Sequence, residues 1–312
     1  MEVGLILYAI ILILAGIGSL ICGLLCMRFG LKQILSNKIR YFFTQITVTP
    51  WRGFIVGILT SALLQSSTAV SLITIGLVSA NYLTFYQSLG IILGANVGTC
   101  TTVQLMALSI SKSYLVPLLV LCIIVMLIVK KLRYPAIAIA GLIFMFLGLN
   151  ILSSAVNEIS QIDSIVQNLL AAKYNPMYGI IGGIIITLLF QSSSAATGVL
   201  IVFAEKGLID LTTAAYVVYG NNIGSCISSV IVGATSPLAA KRVAVAHIML
   251  NILGVLVFLP ITNLLTTSIS YIASDFAGQI ALIHTVFNIL CSLIVMPLIK
   301  QYANLIIFLV SK

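Results

Sequence analysis

Residues 63–70 read Leu-Leu-Gln-Ser-Ser-Thr-Ala-Val, so four consecutive polar side chains, Gln65 to Thr68, interrupt an otherwise apolar stretch. A second polar run follows at residues 188–196, which read Leu-Leu-Phe-Gln-Ser-Ser-Ser-Ala-Ala. Polar groups in an apolar environment are unfavourable unless they find hydrogen-bond partners. A single polar run could be incidental, but its occurrence in two copies indicates a functional role.

The two runs belong to a longer duplication with an offset of 126 residues. Between residues 50–102 and 176–228, 15 of 53 positions are identical without a gap. The shared register aligns a proline, the Gln-Ser-Ser runs, a cysteine and the Gly-x-Asn-x-Gly motifs at 94–98 and 220–224. A weaker similarity between the two halves lies upstream of these segments. Unrelated apolar segments match by composition, but they do not align all of these features, so we infer an internal repeat.

The composition is that of a membrane protein. Of the 312 residues, 61% are hydrophobic and 7% are charged, whereas soluble domains contain about 25% charged residues. The apolar stretch from Val3 to Met27 precedes its basic cluster, which is the reverse of a signal peptide, and we interpret it as a first transmembrane helix. The six cysteines lie in apolar segments without metal-binding or disulfide spacing. We expect free thiols, no cofactor and no enzyme.

The distribution of the charged residues distinguishes between two possible membrane topologies. Residues 53–80 could form one spanning helix or a re-entrant hairpin with the polar run at its tip. The two arms would each be about 18 Å long, too short for a hydrocarbon core of about 30 Å. The hairpin topology puts 12 of the 15 basic residues on one side and all six acids on the other. This distribution satisfies the positive-inside rule. The net charge of +9 is therefore explained by the membrane topology, and we expect no nucleic-acid partner.

The predicted fold is an all-α polytopic membrane protein with two inverted-topology repeats, since three crossings per repeat turn the second one upside down. Repeat 1 spans 1–133 with hairpin 53–80, repeat 2 spans 134–262 with hairpin 179–206, and 263–312 adds a helix and a tail. The N-terminus is placed outside and the C-terminus in the cytoplasm. Interfacial helices are expected at 31–46 and 156–170. The seven predicted crossings are 3–27, 85–110, 114–129, 134–153, 211–234, 242–262 and 280–299.

The repeated polar elements suit the binding of ions. The N-terminus of a hairpin's second arm offers free N–H groups and a positive dipole end to an anion. The motifs at 94–98 and 220–224 are predicted breaks in crossing helices, where hydroxyl and carbonyl oxygens suit Na⁺. The acids all fall in water-exposed regions, which disfavours a buried proton relay. A single Gln-Ser-Ser run would most simply be explained by hydrogen bonds between helices. The duplication favours an ion-binding site.

Small and polar pairs elsewhere are assigned structural roles. Gly53 with Gly57, and Gly179 with Gly183, are expected to bring the two arms of each hairpin together. The pairs His247/Asn251 and His284/Asn288 share the spacing H-x-x-x-N and are expected to brace adjacent helices. Proton-linked function is the alternative for the histidines.

The chain resembles a bacterial member of the type II sodium-dependent phosphate cotransporter family. The resemblance rests on the two Gln-Ser-Ser runs, the two Gly-x-Asn-x-Gly motifs and Arg242…His247-x-x-x-Asn251. The resemblance covers most of residues 1–300 and implies a carrier of inorganic phosphate and Na⁺ with the two tips at its centre. Two departures are a Thr68 that ends the first run as QSST, and serines in the second motif where threonine is common. The chain is expected to lack the soluble domain that follows the membrane part in many bacterial relatives.

The resemblance and the repeat assign site residues. The phosphate set is Gln65, Ser66, Ser67, Thr68, Ser192, Ser193, Ser194, Asn96 and Asn222. The sodium set is Gln191, Ser192, Ser193, Thr99, Thr102, Ser225 and Ser228. The predicted function is Na⁺-coupled phosphate transport by alternating access in the cytoplasmic membrane, with the lipid bilayer as a partner and a homo-oligomer allowed. The alternatives are a carrier of another small anion, such as a dicarboxylate or sulfate, a channel, and a non-transporting membrane scaffold.

Overall fold

The computed structural model describes residues 2–41, 47, 49–108, 110–159 and 175–311, and within them the regular secondary structure is entirely helical. The α-helices are α1 Glu2–Tyr41, α2 Pro50–Leu64, α3 Ser67–Ser79, α4 Phe85–Gly98, α5 Cys100–Met106, α6 Lys112–Ile128, α7 Arg133–Ile159, α8 Pro176–Phe190, α9 Ser193–Glu205, α10 Leu211–Ala234, α11 Leu238–Phe258, α12 Thr262–Ser270, α13 Phe276–Val295 and α14 Ile299–Leu309. Two short 3₁₀ turns, Lys130–Leu132 and Leu259–Ile261, precede α7 and α12.

Six helical segments of the described part are long and apolar enough to cross a membrane. They are Ile6–Ile34, Phe85–Met106, Lys130–Glu158, Leu211–Ala234, Leu238–Ser270 and Phe276–Val295. The predicted crossing at 114–129 corresponds to α6, whose 17 residues extend about 26 Å at 1.5 Å per residue. The protein is thus a multi-pass membrane protein, as predicted, and its seventh crossing stays a prediction.

Helix α1 is one continuous helix, so the prediction of a spanning helix followed by a separate interfacial helix at 31–46 is wrong up to Tyr41. Gly30, at the expected boundary, does not end the helix. A Cβ at this position would come within 3.0 Å of the backbone of Ala138 in α7, so glycine allows close packing here. Residues 42–46, and residues 160–170 of the predicted interfacial helix 156–170, lie outside the described residues.

Helices α1 and α7 pack against each other in antiparallel fashion. Gly16 contacts Leu152, Gly23 approaches Met145, and Gly30 approaches Ala138, so the contacts run in opposite directions along the two helices. Small residues at such positions let two helix backbones approach closely where no water is available to drive association.

The repeat is visible in the local backbone as well as in the sequence. N-caps recur at an offset of 126 residues, each with a side-chain oxygen that accepts a backbone N–H. Left-handed backbone recurs at the same offset. The N-cap pairs are Thr49/Asn175, Ser66/Ser192 and Thr84/Asp210, and the left-handed pairs are Gln65/Gln191 and Asn81/Gly207.

The Gly-x-Asn-x-Gly motifs are not unwound. Helix α10 runs unbroken through 220–224, and the predicted break there is wrong. In the first copy the helix is interrupted only at Thr99, which itself keeps helical dihedral angles of −62° and −25°. The physical reason is packing: a Cβ at Gly94 would come within 3.0 Å of the Phe54 backbone, and one at Gly220 would meet Ile180.

The glycines of the first hairpin arms pack in the same interfaces. Gly57 approaches Ile91 of α4, and Gly183 approaches Val217 of α10. Each first arm therefore lies parallel to the crossing helix that follows its hairpin. The expectation that these glycines join the two arms of a hairpin is wrong, because their neighbours lie in α4 and α10.

The last helices complete the core. Helix α11 contacts α3, α4, α10 and α13, and α13 contacts α4, α5, α9 and α10, whereas α6 packs on α7. Helix α14 was not predicted, and the Arg242 Nε donates a hydrogen bond to the Val310 carbonyl just beyond it at 3.0 Å. The segment after residue 262 thus includes a central helix, α13, in addition to a peripheral one.

Candidate functional site

The first polar run ends one helix and begins the next. Gln65 has a φ of 53°, in the left-handed region that non-glycine residues seldom adopt. Ser66 is extended, and its hydroxyl accepts a hydrogen bond from the Ala69 N–H at 3.2 Å. The N–H groups of Ser67 and Thr68, at the start of α3, have no partner in their own helix, so this tip presents backbone donors.

The second polar run has the same geometry. Gln191 has a φ of 50°, and the Ser192 hydroxyl accepts a hydrogen bond from the Ala195 N–H at 3.3 Å. A left-handed residue followed at once by an N-cap is an unusual junction for an apolar segment. Its occurrence at both runs means that the Gln-Ser-Ser sequence specifies the turn.

A small cavity lies against the second tip. It offers about 10 Å³ to the centre of a water-sized sphere, which is room for about one water molecule or one small cation. Gly224 and Leu188 complete a wall that is otherwise made of oxygen-bearing side chains. These are Thr68, Thr187, Gln191, Ser192, Ser193, Ser225 and Ser228.

Both repeats contribute to this cavity. Thr68, from the first tip, donates a hydrogen bond to the Ser225 carbonyl at 3.4 Å. The Ser228 hydroxyl donates to the Gln191 side-chain oxygen at 3.4 Å, which ties the second tip to α10. Five residues of the predicted sodium set, Gln191, Ser192, Ser193, Ser225 and Ser228, therefore come together here. Thr187 was missed, because its position one turn before the run carries no motif.

The other two members of the sodium set, Thr99 and Thr102, do not line this cavity. The Thr99 hydroxyl is 3.3 Å from that of Ser61, and Gln65 Nε2 donates to Thr101 at 3.3 Å. The Thr102 hydroxyl and the Gln65 Oε1 are buried without a partner in the described part. One cluster of all seven predicted sodium ligands is therefore not formed, because five line the cavity at the second tip and Thr99 and Thr102 do not.

The motif asparagines are buried inside the packed helices. Asn96 is 4% and Asn222 is 5% exposed, and Asn222 Nδ2 donates to the Val218 carbonyl of its own helix at 2.9 Å. Neither lines the cavity, nor does the buried Ser194 of the phosphate set. The neighbouring Asn221, which was not predicted, accepts from Thr187 and donates to Thr197, each at 3.1 Å, and so joins α8, α9 and α10.

Arg28 of α1 reaches both tips. Its Nε donates to the Gln65 carbonyl at 2.9 Å, and its Nη2 donates to the Ser192 hydroxyl at 3.3 Å. The sequence prediction counted Arg28 among the cytoplasmic basic residues after the first helix. The continuous α1 instead carries it within the segment Ile6–Ile34, where it is half-buried. The site therefore contains a positive charge that the sequence prediction missed.

The pair His247/Asn251 connects neighbouring helices, as expected. The His247 Nδ1 lies 3.1 Å from the Ser71 hydroxyl, which connects α11 with the second arm of the first hairpin. Asn251 Nδ2 donates to the Cys226 sulfur of α10 at 3.1 Å. In the other pair, Asn288 Nδ2 donates to the His284 carbonyl at 2.8 Å. The Cys100 sulfur lies 3.8 Å from that same carbonyl.

The model of the family described as Na⁺/Pi-cotransporter matches residues 19–154 and 157–296, which include both tips, Arg28 and the cavity. The chain belongs to the Na⁺/Pi-cotransporter family. The family resemblance inferred from the paired motifs is thereby confirmed, and family membership supports phosphate transport. The cotransporter family is a family of transporters and not of enzymes.

Individual relatives agree with this assignment. A Bacillus subtilis protein named YqeW is 31% identical over 265 residues, which cover 84% of this chain and 85% of that protein. A Salmonella typhimurium protein named for inorganic phosphate export, YjbB, is 26% identical over 255 residues, 80% of this chain and 46% of its own length. The chain thus spans about half the length of that relative.

A more distant relative carries sodium in its name. The sodium-dependent phosphate transport protein 2A of Oryctolagus cuniculus is 36% identical over 93 residues, 28% of this chain and 14% of that protein. No solved structure matches the chain.

Proposed function

We propose that the protein is a Na⁺-coupled transporter of inorganic phosphate that works by alternating access between its two repeats. The observation that carries the proposal is the oxygen-lined cavity at the second tip, to which the first tip contributes Thr68. The match to the Na⁺/Pi-cotransporter family supports Na⁺ and phosphate as the ions. The relatives are named for phosphate export and for sodium-dependent phosphate transport.

The cavity is proposed as a sodium site. Hard cations such as Na⁺ prefer neutral and carboxylate oxygens, and the cavity supplies hydroxyl, amide and carbonyl oxygens from Gln191, Ser193 and Ser225. Its size accommodates one such ion without its hydration shell. Ser228, which bonds to Gln191, would release that oxygen to the ion.

Phosphate is proposed to bind between the two tips. Each second arm, α3 and α9, begins there with free N–H groups and the positive end of a helix dipole. The predicted ligands are the tip residues Ser66, Ser67, Thr68, Ser192 and Ser193. The cavity of about 10 Å³ cannot hold a five-atom oxyanion, so phosphate binding requires the two tips to move apart. The bound Na⁺ would offset part of the anion's charge.

Alternating access would follow from inverted repeats. Helices α1 and α7 open the two proposed repeats and run antiparallel, which supports opposite orientations of the repeats in the bilayer. The hairpin arms of 15 and 13 residues are shorter than the bilayer core and support re-entrant tips near the midplane. The positive-inside rule places the N-terminus outside and the C-terminus in the cytoplasm of a cell-membrane protein.

The test is phosphate flux into liposomes that contain the purified protein. A Na⁺ gradient should drive radiolabelled phosphate across the membrane, while an equal K⁺ gradient should not. Ser193→Ala removes a cavity hydroxyl and should lower the flux at limiting Na⁺. Ser154→Ala, an exposed serine of α7 away from both tips, is the matched control and should transport normally.

Two of the alternatives, a carrier of another anion and a membrane scaffold, have outcomes of their own. Sulfate or dicarboxylate flux that depends on Na⁺, with no phosphate flux, would replace the substrate and keep the mechanism. Absence of flux for every anion, with either orientation of the gradient, would refute transport and favour a membrane scaffold.

A further inference from the structure

Arg28 occupies a position that the proposed function has not used. Its guanidinium bridges the Gln65 carbonyl of the first tip, at 2.9 Å, and the Ser192 hydroxyl of the second, at 3.3 Å. These partners lie 37 and 164 residues away in sequence. A single side chain from α1 thus spans the space between the two tips where the anion is proposed to bind.

The charge of Arg28 lacks a counter-ion in the described part of the chain, because its recorded partners are both neutral oxygens. An arginine within an apolar spanning helix is costly unless a polar partner compensates it. Five N–H donors are available on a guanidinium, and the two recorded bonds leave donors free. The longer bond, to Ser192, is also the one that an incoming acceptor would replace most easily.

We propose that Arg28 is a ligand of the transported anion. Its planar fork binds two oxygens of a tetrahedral oxyanion, in the geometry that arginine forms with phosphate. The hydrogen bond to the Gln65 carbonyl keeps the guanidinium in place, and the bond to Ser192 gives way to the anion. This inference rests on the proposed function for the identity of the anion, but the role of Arg28 applies to any oxyanion of that site.

Arg28 differs from Lys32, the next basic residue of α1, in its hydrogen bonds to both tips. Lys32 lies one turn further along the same helix and is exposed. Lys32→Gln removes the same charge within about 6 Å of helix rise, so long-range electrostatic effects on anion binding would affect both variants. A contact effect would affect only Arg28→Gln.

The experiment is equilibrium binding of radiolabelled phosphate, and separately sulfate, to the full-length protein in detergent with saturating Na⁺. Arg28→Gln should weaken binding by at least roughly 10- to 100-fold, since one charge-assisted hydrogen bond alone accounts for that much. Arg28→Lys keeps the charge without the fork and should fall in between. Lys32→Gln should bind like the wild type. Melting temperatures of all variants report whether they are folded, and the Na⁺ concentration for half-maximal binding should stay within a few-fold.

The outcomes distinguish Arg28 from the overall function. Unchanged phosphate affinity in a folded Arg28→Gln protein overturns the role of Arg28 and leaves phosphate transport intact. Equal weakening by Lys32→Gln also overturns it. Binding of sulfate alone, lost in Arg28→Gln, supports Arg28 and refutes phosphate as the substrate. Failure of the wild type to bind either anion overturns both.

Discussion

Gly220→Ala tests whether the Gly-x-Asn-x-Gly motif is a packing surface. The new Cβ would come within 3.0 Å of backbone atoms of Ile180, closer than real Cβ atoms come. Backbone atoms cannot rotate away, so α8 must shift against α10. Overpacking of this kind destabilises proteins by about 1–3 kcal/mol, and a contact with rigid backbone belongs at the upper end. The higher helix propensity of alanine offsets about 1 kcal/mol of this cost. The net loss in the free energy of unfolding is then about 2 kcal/mol.

The matched control is Gly182→Ala, on the partner helix α8, where no neighbouring atom lies within 4 Å of the new Cβ. It should be neutral or stabilising by up to about 1 kcal/mol. In thermal unfolding of the detergent-solubilised protein, a loss of 2 kcal/mol corresponds to a melting temperature lower by roughly 3 °C for a chain of 312 residues. Equal melting temperatures for the two variants would refute the explanation by close packing and would favour the interpretation of the motif as an unwound segment.

Two other substitutions test the tip and its support. Gln191→Gly keeps the left-handed backbone and removes the amide, so stability should be retained while the Na⁺ concentration for half-maximal flux rises about tenfold; unchanged Na⁺ dependence would exclude Gln191 as a ligand. Ser71→Ala leaves the buried His247 Nδ1 without its partner and should cost about 1–3 kcal/mol in thermal unfolding. Ser79→Ala, near the end of the same helix, is the control, and an equal effect would show that the His247 contact does not stabilise the fold.

The sequence predicted the features that depend on local chemistry. Serine as an N-cap and a polar run between apolar arms correctly located the junctions at Ser66 and Ser192. The duplication then predicted matching boundaries in the second half. These features follow from a few neighbouring residues, so they can be read without knowledge of the packing.

Features that depend on neighbours in space were missed. Glycine in the motif at 220–224 is equally compatible with an unwound helix and with close packing, and only the position of Ile180 decides for packing. Arg28 was assigned to the cytoplasm because α1 was expected to end at Met27. The helix continues because Gly30 packs against α7, and this carries the arginine to the tips.

The most direct test of the central claim is the reverse experiment, in which a phosphate gradient drives sodium. In liposomes with equal Na⁺ on both sides, an outside-to-inside phosphate gradient should drive accumulation of radiolabelled Na⁺ above equilibrium, because coupling between two ligands is reciprocal. Ser193→Ala should lower the accumulation at limiting Na⁺. Phosphate movement down its gradient without any sodium accumulation would contradict the account, since phosphate would then cross the membrane without coupling to Na⁺.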